Sequence, residues 1–148
     1  MKYLIVTIML TCFGLAAAAQ IEQPVKWAYA AKKINDKEAV ILIKATINEG
    51  WHIYSMNLKD GGPVKTSFTF SPGKFYSLIG KVSEPTPVTR FEKSFSMDVS
   101  YFENSVIFQQ KIKLKKLPAT IKGSLEYMTC NNKKCLPPND LDFSVTIK

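Results

Sequence analysis

Histidine occurs once in this sequence of 148 residues, as His52, and cysteine three times, as Cys12, Cys130 and Cys135. So thin a supply of ligating and nucleophilic side chains excludes several kinds of chemistry. There is no CxxCH for covalent haem and no second cysteine pair to close a zinc site, so no metal or organic cofactor is expected. A cysteine–histidine hydrolase would need His52, and no oxyanion-hole signature accompanies it; His52 reads better as a half-buried strand residue. A copper site would have to combine His52 with Met56, Met97 or Met128, soft ligands of the kind Cu(I) favours. Those methionines show no clustered spacing and read better as gap-filling residues. Beyond the first twenty residues no stretch is apolar enough to span a bilayer, so no stable membrane insertion is expected. Basic residues are plentiful, 20 Lys and Arg against 12 Asp and Glu for a formal net charge of +8, yet they form no block. Scattered lysines read as a solvated surface, and no nucleic-acid partner is expected. Internal repeats, low-complexity tracts and interdomain linkers are also missing.

The first nineteen residues have the layout of an export signal. Lys2 supplies a positive start, and Leu4 to Leu15 form an apolar stretch interrupted by Thr7, Thr11 and Gly14. Ala17, Ala18 and Ala19 then offer the small residues a signal peptidase requires, so cleavage after Ala19 is expected. Cys12 lies in mid-stretch behind Leu10 and Thr11, which does not suit a lipid-acceptor cysteine. The product is one exported domain, residues 20–148, in a compartment where disulfides form. Cys12 leaves with the signal, and Cys130 and Cys135 remain.

The body of the chain reads as strands. Over Glu38–Asn48, Ile41, Ile43, Ala45 and Ile47 alternate with Val40, Leu42, Lys44 and Thr46, a β pattern with one face firmly buried. Ser105–Leu114 sets Val106, Phe108, Ile112 and Leu114 against Gln109, Lys111 and Lys113, with Ile107 and Gln110 as exceptions. Thr120–Met128 and the final run of Phe143, Val145 and Ile147 alternate in the same way. Further strands are expected at Val25–Lys33, Trp51–Asn57, Lys65–Phe70 and Lys74–Ser83, separated by breakers such as Asn35-Asp36, Asp60-Gly61-Gly62-Pro63 and Pro85-Thr86-Pro87. Short alternating strands at this spacing, with no helix, predict an all-β fold: an antiparallel immunoglobulin-like β-sandwich.

Between the last two strands lies Tyr127-Met128-Thr129-Cys130-Asn131-Asn132-Lys133-Lys134-Cys135-Leu136-Pro137-Pro138, a connecting loop of the kind that displays functional groups. Four intervening residues let the two sulfurs meet, Asn131 and Asn132 tolerate the turn, and Pro137 and Pro138 stiffen the exit. A ring this small removes only about 2 kcal/mol of chain entropy, so a stabilising bridge would do better between distant strands. Lys133 and Lys134 would favour a neighbouring thiolate, the attacking species in disulfide exchange; equally they suit a solvated loop tip. Spacing alone leaves a reactive pair and a static staple equally open.

These residues resemble the N-terminal periplasmic domain of the thiol:disulfide interchange protein DsbD, from about Val25 to Lys148. The resemblance is carried by Tyr127-x-x-Cys130-x4-Cys135-x-Pro137-Pro138, with support from Gly50-Trp51-His52-Ile53-Tyr54 and from Phe95-Ser96-Met97 leading to Tyr101. The cysteine spacing is one residue shorter than in the best-known members. The resemblance implies an immunoglobulin-like domain with a redox-active pair at one end, acting as a thiol:disulfide oxidoreductase. Cys135 would form the mixed disulfide with a partner and Cys130 would resolve it. A cap, here the segment from Phe91 to Phe95, would shield the pair, and Tyr54 would flank it. Expected partners are thioredoxin-like or membrane-bound redox proteins. Because the chain stops at Lys148, a stand-alone periplasmic monomer whose reductant is a separate protein is expected. The competing reading is a non-catalytic sandwich that binds a partner through its loops, with the disulfide as a staple.

Overall fold

The computed structural model describes residues 22–148; the expected signal peptide, residues 1–19, lies outside them, as does Cys12. Among the described residues every regular element is a strand: β1 (Val25–Lys33), β2 (Glu38–Ile47), β3 (Trp51–Tyr54), β4 (Ser67–Phe70), β5 (Tyr76–Ser83), β6 (Val88–Glu92), β7 (Met97–Glu103), β8 (Ser105–Leu114), β9 (Ala119–Tyr127), β10 (Thr129–Asn131) and β11 (Asn139–Ile147). They pair antiparallel in three sheets, ordered β1-β2-β8-β5, β11-β9-β4 and β10-β3-β7-β6.

The first two sheets are the layers of an immunoglobulin-like sandwich. Ile41, Ile43 and Ala45 of β2 and Val106, Phe108 and Ile112 of β8 meet Ile121 and Leu125 of β9 and Phe143 and Val145 of β11 in one buried cluster. Trp27 of β1 stacks on Phe108 and meets Phe68 of β4 and Tyr127 of β9 edge-on, so aromatic rings lock one layer to the other. Burial along β8 alternates without a break. Ile107 is exposed and Gln110 is 1% exposed, so both chemical exceptions keep the geometric pattern. Gln110 lies opposite a bulge where β5 pairing jumps from Ile79 to Ser83. Its Nε2 donates to the carbonyls of Ile79 at 3.1 Å and Lys111 at 2.7 Å, so the buried amide serves a stretch where the ladder is broken.

The third sheet prolongs both layers at one end. The β2–β8 ladder stops at Thr46 and Ser105 and resumes as His52 opposite Glu103 in β3–β7. Gly50 and Asn104 take φ of 78° and 62° at the joints, a region open to glycine and to asparagine. From the other layer, β9 passes through Met128 into β10. One face of the third sheet (Trp51, Ile53, Phe102) continues the main core. The opposite face (Tyr54, Val99, Tyr101, Cys130) forms a smaller cluster of its own, packed by Leu58, Met97 and Met128.

Three strands of this sheet are absent from the sequence expectation. β7 buries residues on both faces and β6 is exposed along nearly its whole length, so neither shows the alternation that marks a half-buried strand. The segment Phe91–Phe95, expected as a loop, instead completes β6 with Phe91 and Glu92 before turning towards β7. Cys130, expected in a connecting loop, lies in β10 and pairs with β3. The expected strand Trp51–Asn57 ends early, at Tyr54. Beyond it the hydroxyl of Ser55 accepts from Asn57 N at 2.9 Å and donates to Glu84, a local turn that outcompetes the ladder.

Candidate functional site

Cys130 and Cys135 are joined by a disulfide, and the backbone around them explains why they meet. Asn131 N donates to Lys134 O, and Leu136 N donates to Thr129 O, both at 2.9 Å. These bonds bracket the cysteines without joining them, so they form a non-hydrogen-bonded antiparallel pair, where facing side chains come closest. The turn is set by Asn131, whose Oδ1 accepts from the amides of Lys133 and Lys134, each at 2.8 Å. Strand pairing also gives the sulfurs different surroundings. Cys130, held in β10 against β3, is 2% exposed, whereas Cys135 beyond the turn is exposed.

The face of the third sheet that carries Cys130 gathers the rest of the site. In register, Cys130 is opposite His52, His52 is opposite Glu103, and Tyr54 is opposite Tyr101. Cross-strand partners share a face, so one row reads Cys130–His52–Glu103 and the next Tyr54–Tyr101. A cleft of about 390 Å³ opens on this face, lined by His52, Tyr54, Glu92, Ser94, Phe95 and the loop from Cys130 to Cys135. Its far wall is the tip of the β6–β7 hairpin, where Phe95 N donates to Glu92 O and Ser96 N to Lys93 O.

The expected site residues divide. Phe95 lines the cleft and Tyr54, 1% exposed, forms part of its floor. Phe91 does not join them. It is 63% exposed and stands on the opposite face of β6 from Glu92. Lys133 and Lys134 both line the cleft, but Lys134 directs its ammonium to Glu22 and over the Trp51 ring, 5.9 Å from its centroid. Of the methionines weighed as copper ligands, Met97 and Met128 pack on the Cys130 cluster and Met56 on the main core.

His52 is the residue that sequence reasoning did not place here; Glu92 fell within the expected cap segment without being singled out. His52 Nε2 lies 3.2 Å from the Tyr54 hydroxyl, and its ring packs against Tyr54 and Tyr101 at centroid distances of 5.2 and 4.8 Å. Burial lowers the His52 pKa from the ordinary value, against an opposing pull from Glu103 and Glu92. Burial, with the negative charge of Glu92, pushes Tyr54 up to about 12. Tyr101 is also raised, chiefly by burial. At neutral pH the cleft floor therefore presents protonated phenols and a neutral imidazole beside the disulfide. The end of β3 is braced from outside by Glu84, whose carboxylate accepts from Ser55 Oγ, from Met56 N at 2.9 Å and from Asn57 Nδ2 at 2.8 Å.

The family model described as "Thiol:disulfide interchange protein DsbD, N-terminal" matches residues 19–147. Among solved structures, the fold is similar to the N-terminal periplasmic domain of ScsB from Proteus mirabilis, with 18% identity and a TM-score of 0.62 over 83% of this chain and 46% of that one. This chain thus spans about half the length of that ScsB chain. It is similar to the reduced DsbD N-terminal domain of Neisseria meningitidis, with 17% identity and a TM-score of 0.52 over 80% of this chain and 83% of that one. A third similar structure is from the complex between the DsbD N-terminal and PilB N-terminal domains of Neisseria meningitidis, with 15% identity and a TM-score of 0.55 over 84% and 87% of the two chains. No curated protein matches the chain by sequence.

Proposed function

The chain belongs to the family of N-terminal domains of the thiol:disulfide interchange protein DsbD, and from that premise we propose that it relays electrons to oxidised partner proteins through the Cys130–Cys135 pair. Thiol:disulfide exchange is the chemistry of the family. The observation that carries its assignment to these residues is the asymmetry of the pair: Cys135 is exposed and Cys130 is buried. A thiolate arriving from a reductant reaches Cys135 and expels Cys130. In the opposite direction the reduced Cys135 thiolate attacks a partner disulfide, and Cys130 closes on Cys135 to release the partner reduced. Phe95 and the hairpin tip narrow the approach to the pair, which favours a partner surface that displaces them over small thiols. Phe91, outside the cleft, is free to be part of the surface a partner meets.

A thioredoxin-like or membrane-bound redox protein is the partner we propose, and the domain acts as a monomer in the periplasm. Support for a protein partner comes from the similar Neisseria DsbD domain, which forms a complex with the PilB N-terminal domain. Among the described residues no helix is long and apolar enough to cross a membrane. An export signal ending at Ala19 is supported by the apolar stretch from Leu4 to Leu15 and the small residues Ala17, Ala18 and Ala19. The relay is tested by trapping. Cys130→Ser should accumulate a mixed disulfide through Cys135 with oxidised thioredoxin-like proteins, stable until a reductant is added. Cys135→Ser should trap none, and equal trapping by both variants would overturn the assignment of roles.

A further inference from the structure

Closing the Cys130–Cys135 bond requires the Cys130 thiol to lose a proton, and Cys130, as seen in the disulfide, is 2% exposed. Burial in apolar surroundings disfavours the thiolate, and the cluster around Cys130 is formed by Tyr54, Val99 and Tyr101 with Met97 and Met128. The basic side chain beside it is His52, its cross-strand partner, which lines the same cleft. We propose that His52 accepts the proton of the Cys130 thiol as Cys130 attacks the mixed disulfide at Cys135, and passes it to solvent once the pair has closed. This rests on the exchange reading above.

The step balances without a further reactant. The bond between Cys135 and the partner sulfur breaks, the Cys130–Cys135 bond forms, and the partner sulfur leaves with the electron pair as a thiolate. Cys130 is oxidised, the partner sulfur is reduced, and the proton resides on the imidazole. The ring is placed for this by the rings of Tyr54 and Tyr101 and by the Tyr54 hydroxyl, 3.2 Å from Nε2. With Nε2–H donated to the Tyr54 oxygen, Nδ1 is the free acceptor.

The groups facing His52 suit both states. Glu103 of β7 and Glu92 at the end of β6 supply negative charge, Tyr54 and Tyr101 are neutral, and Lys133 and Lys134 approach from the cysteine loop, the latter paired with Glu22. Burial outweighs the carboxylates in the resting site, so the imidazole is unprotonated at neutral pH and ready to accept. Once protonated, it has both carboxylates to stabilise it.

The test is stopped-flow mixing of the reduced mature protein with 5,5′-dithiobis(2-nitrobenzoate), whose released thiolate absorbs visible light. A first release marks the mixed disulfide at Cys135 and a second marks closure by Cys130. In the wild type the second phase should be flat above neutral pH and should slow as pH falls below the His52 pKa. In His52→Gln it should be about 100-fold slower at pH 7 and should rise about tenfold per pH unit, towards the pKa of the thiol itself. A far-ultraviolet circular dichroism spectrum matching wild type reports an intact fold; His52→Asn repeats the test with a smaller side chain. Overlapping second phases in wild type and variants would overturn the proposal and leave the relay standing. A wild type that shows no second phase would remove the relay, and the proposal with it.

Discussion

Removing the Glu84 carboxylate should loosen the strand end that carries His52 and Tyr54. Glu84 lies in the β5–β6 connection and reaches across to the residues just past β3, where it accepts from Ser55 Oγ, Met56 N and Asn57 Nδ2. Ser55 is fully buried and Met56 half-buried, while Asn57 is exposed and its bond competes with water. Two bonds therefore count. Each is made to a charged acceptor and is worth about 1.5 kcal/mol at the low end of such interactions. Glu84→Ala should then cost about 3 kcal/mol, partly because it strands the Met56 amide. Glu84→Gln, which keeps one acceptor oxygen, should cost less than half as much. Urea denaturation with an unchanged m-value is the assay, and in a domain of this size the alanine variant should melt about 10 °C lower. The disulfide should still form in both variants, because the hydrogen bonds of Glu84 run to Ser55, Met56 and Asn57 and those of the cysteine turn run within Thr129–Leu136. A Glu84→Ala protein within about 0.5 kcal/mol of wild type, the ordinary scatter for surface substitutions, would refute the brace.

Gly123 of β9 lies between Phe70 of β4 and Phe143 of β11. A Cβ there would stand 2.4 Å from the Thr69 carbonyl oxygen and 2.6 Å from Phe143 Cζ. Gly123→Ala should therefore cost about 1–3 kcal/mol by overpacking, read as a lower urea midpoint; unchanged stability would show that β4 can move aside freely. Stability should also fall at both ends of the pH scale. The His52 pKa is lowered in the folded protein, so as pH drops below about 6.5 the unfolded chain takes up that proton first and folding weakens. Tyr54 is raised to about 12, so the unfolded phenol ionises first and stability declines between about pH 10 and pH 12. Urea midpoints across pH should lose part of the acid limb in His52→Gln and part of the alkaline limb in Tyr54→Phe. Unaltered limbs would contradict the burial account of both groups.

How much of this was legible in the sequence depends on whether a residue's surroundings are local. β2, β8, β9 and β11 each set one face against the core, so their alternation is written in consecutive residues. The turn at Asn131 and the meeting of Cys130 with Cys135 are local as well. β6 left no trace because an exposed edge strand pairs through its backbone and asks nothing of its side chains. β7 left none because Val99 and Tyr101 on one face and Phe102 on the other are all buried, and a strand buried on both sides has no polar phase. His52 was the costlier omission. Its place beside Cys130 depends on the register of β3 against β10, a pairing between distant parts of the chain for which no short motif speaks. Glu92 and Phe91 lie in the local β6–β7 hairpin, but only the pairing of β7 with β3 brings that hairpin, and Glu92 with it, to the cleft.

The central claim, that the Cys130–Cys135 bond is exchanged in function and is not a fixed staple, is tested most directly by its reduction potential. The mature protein would be equilibrated in graded thiol buffers and its free thiols quenched and counted. The account predicts a value between those of thioredoxin and the glutaredoxins, roughly −270 to −200 mV. A value well below about −300 mV, where structural bridges lie, would contradict it and leave a binding domain stapled by its disulfide.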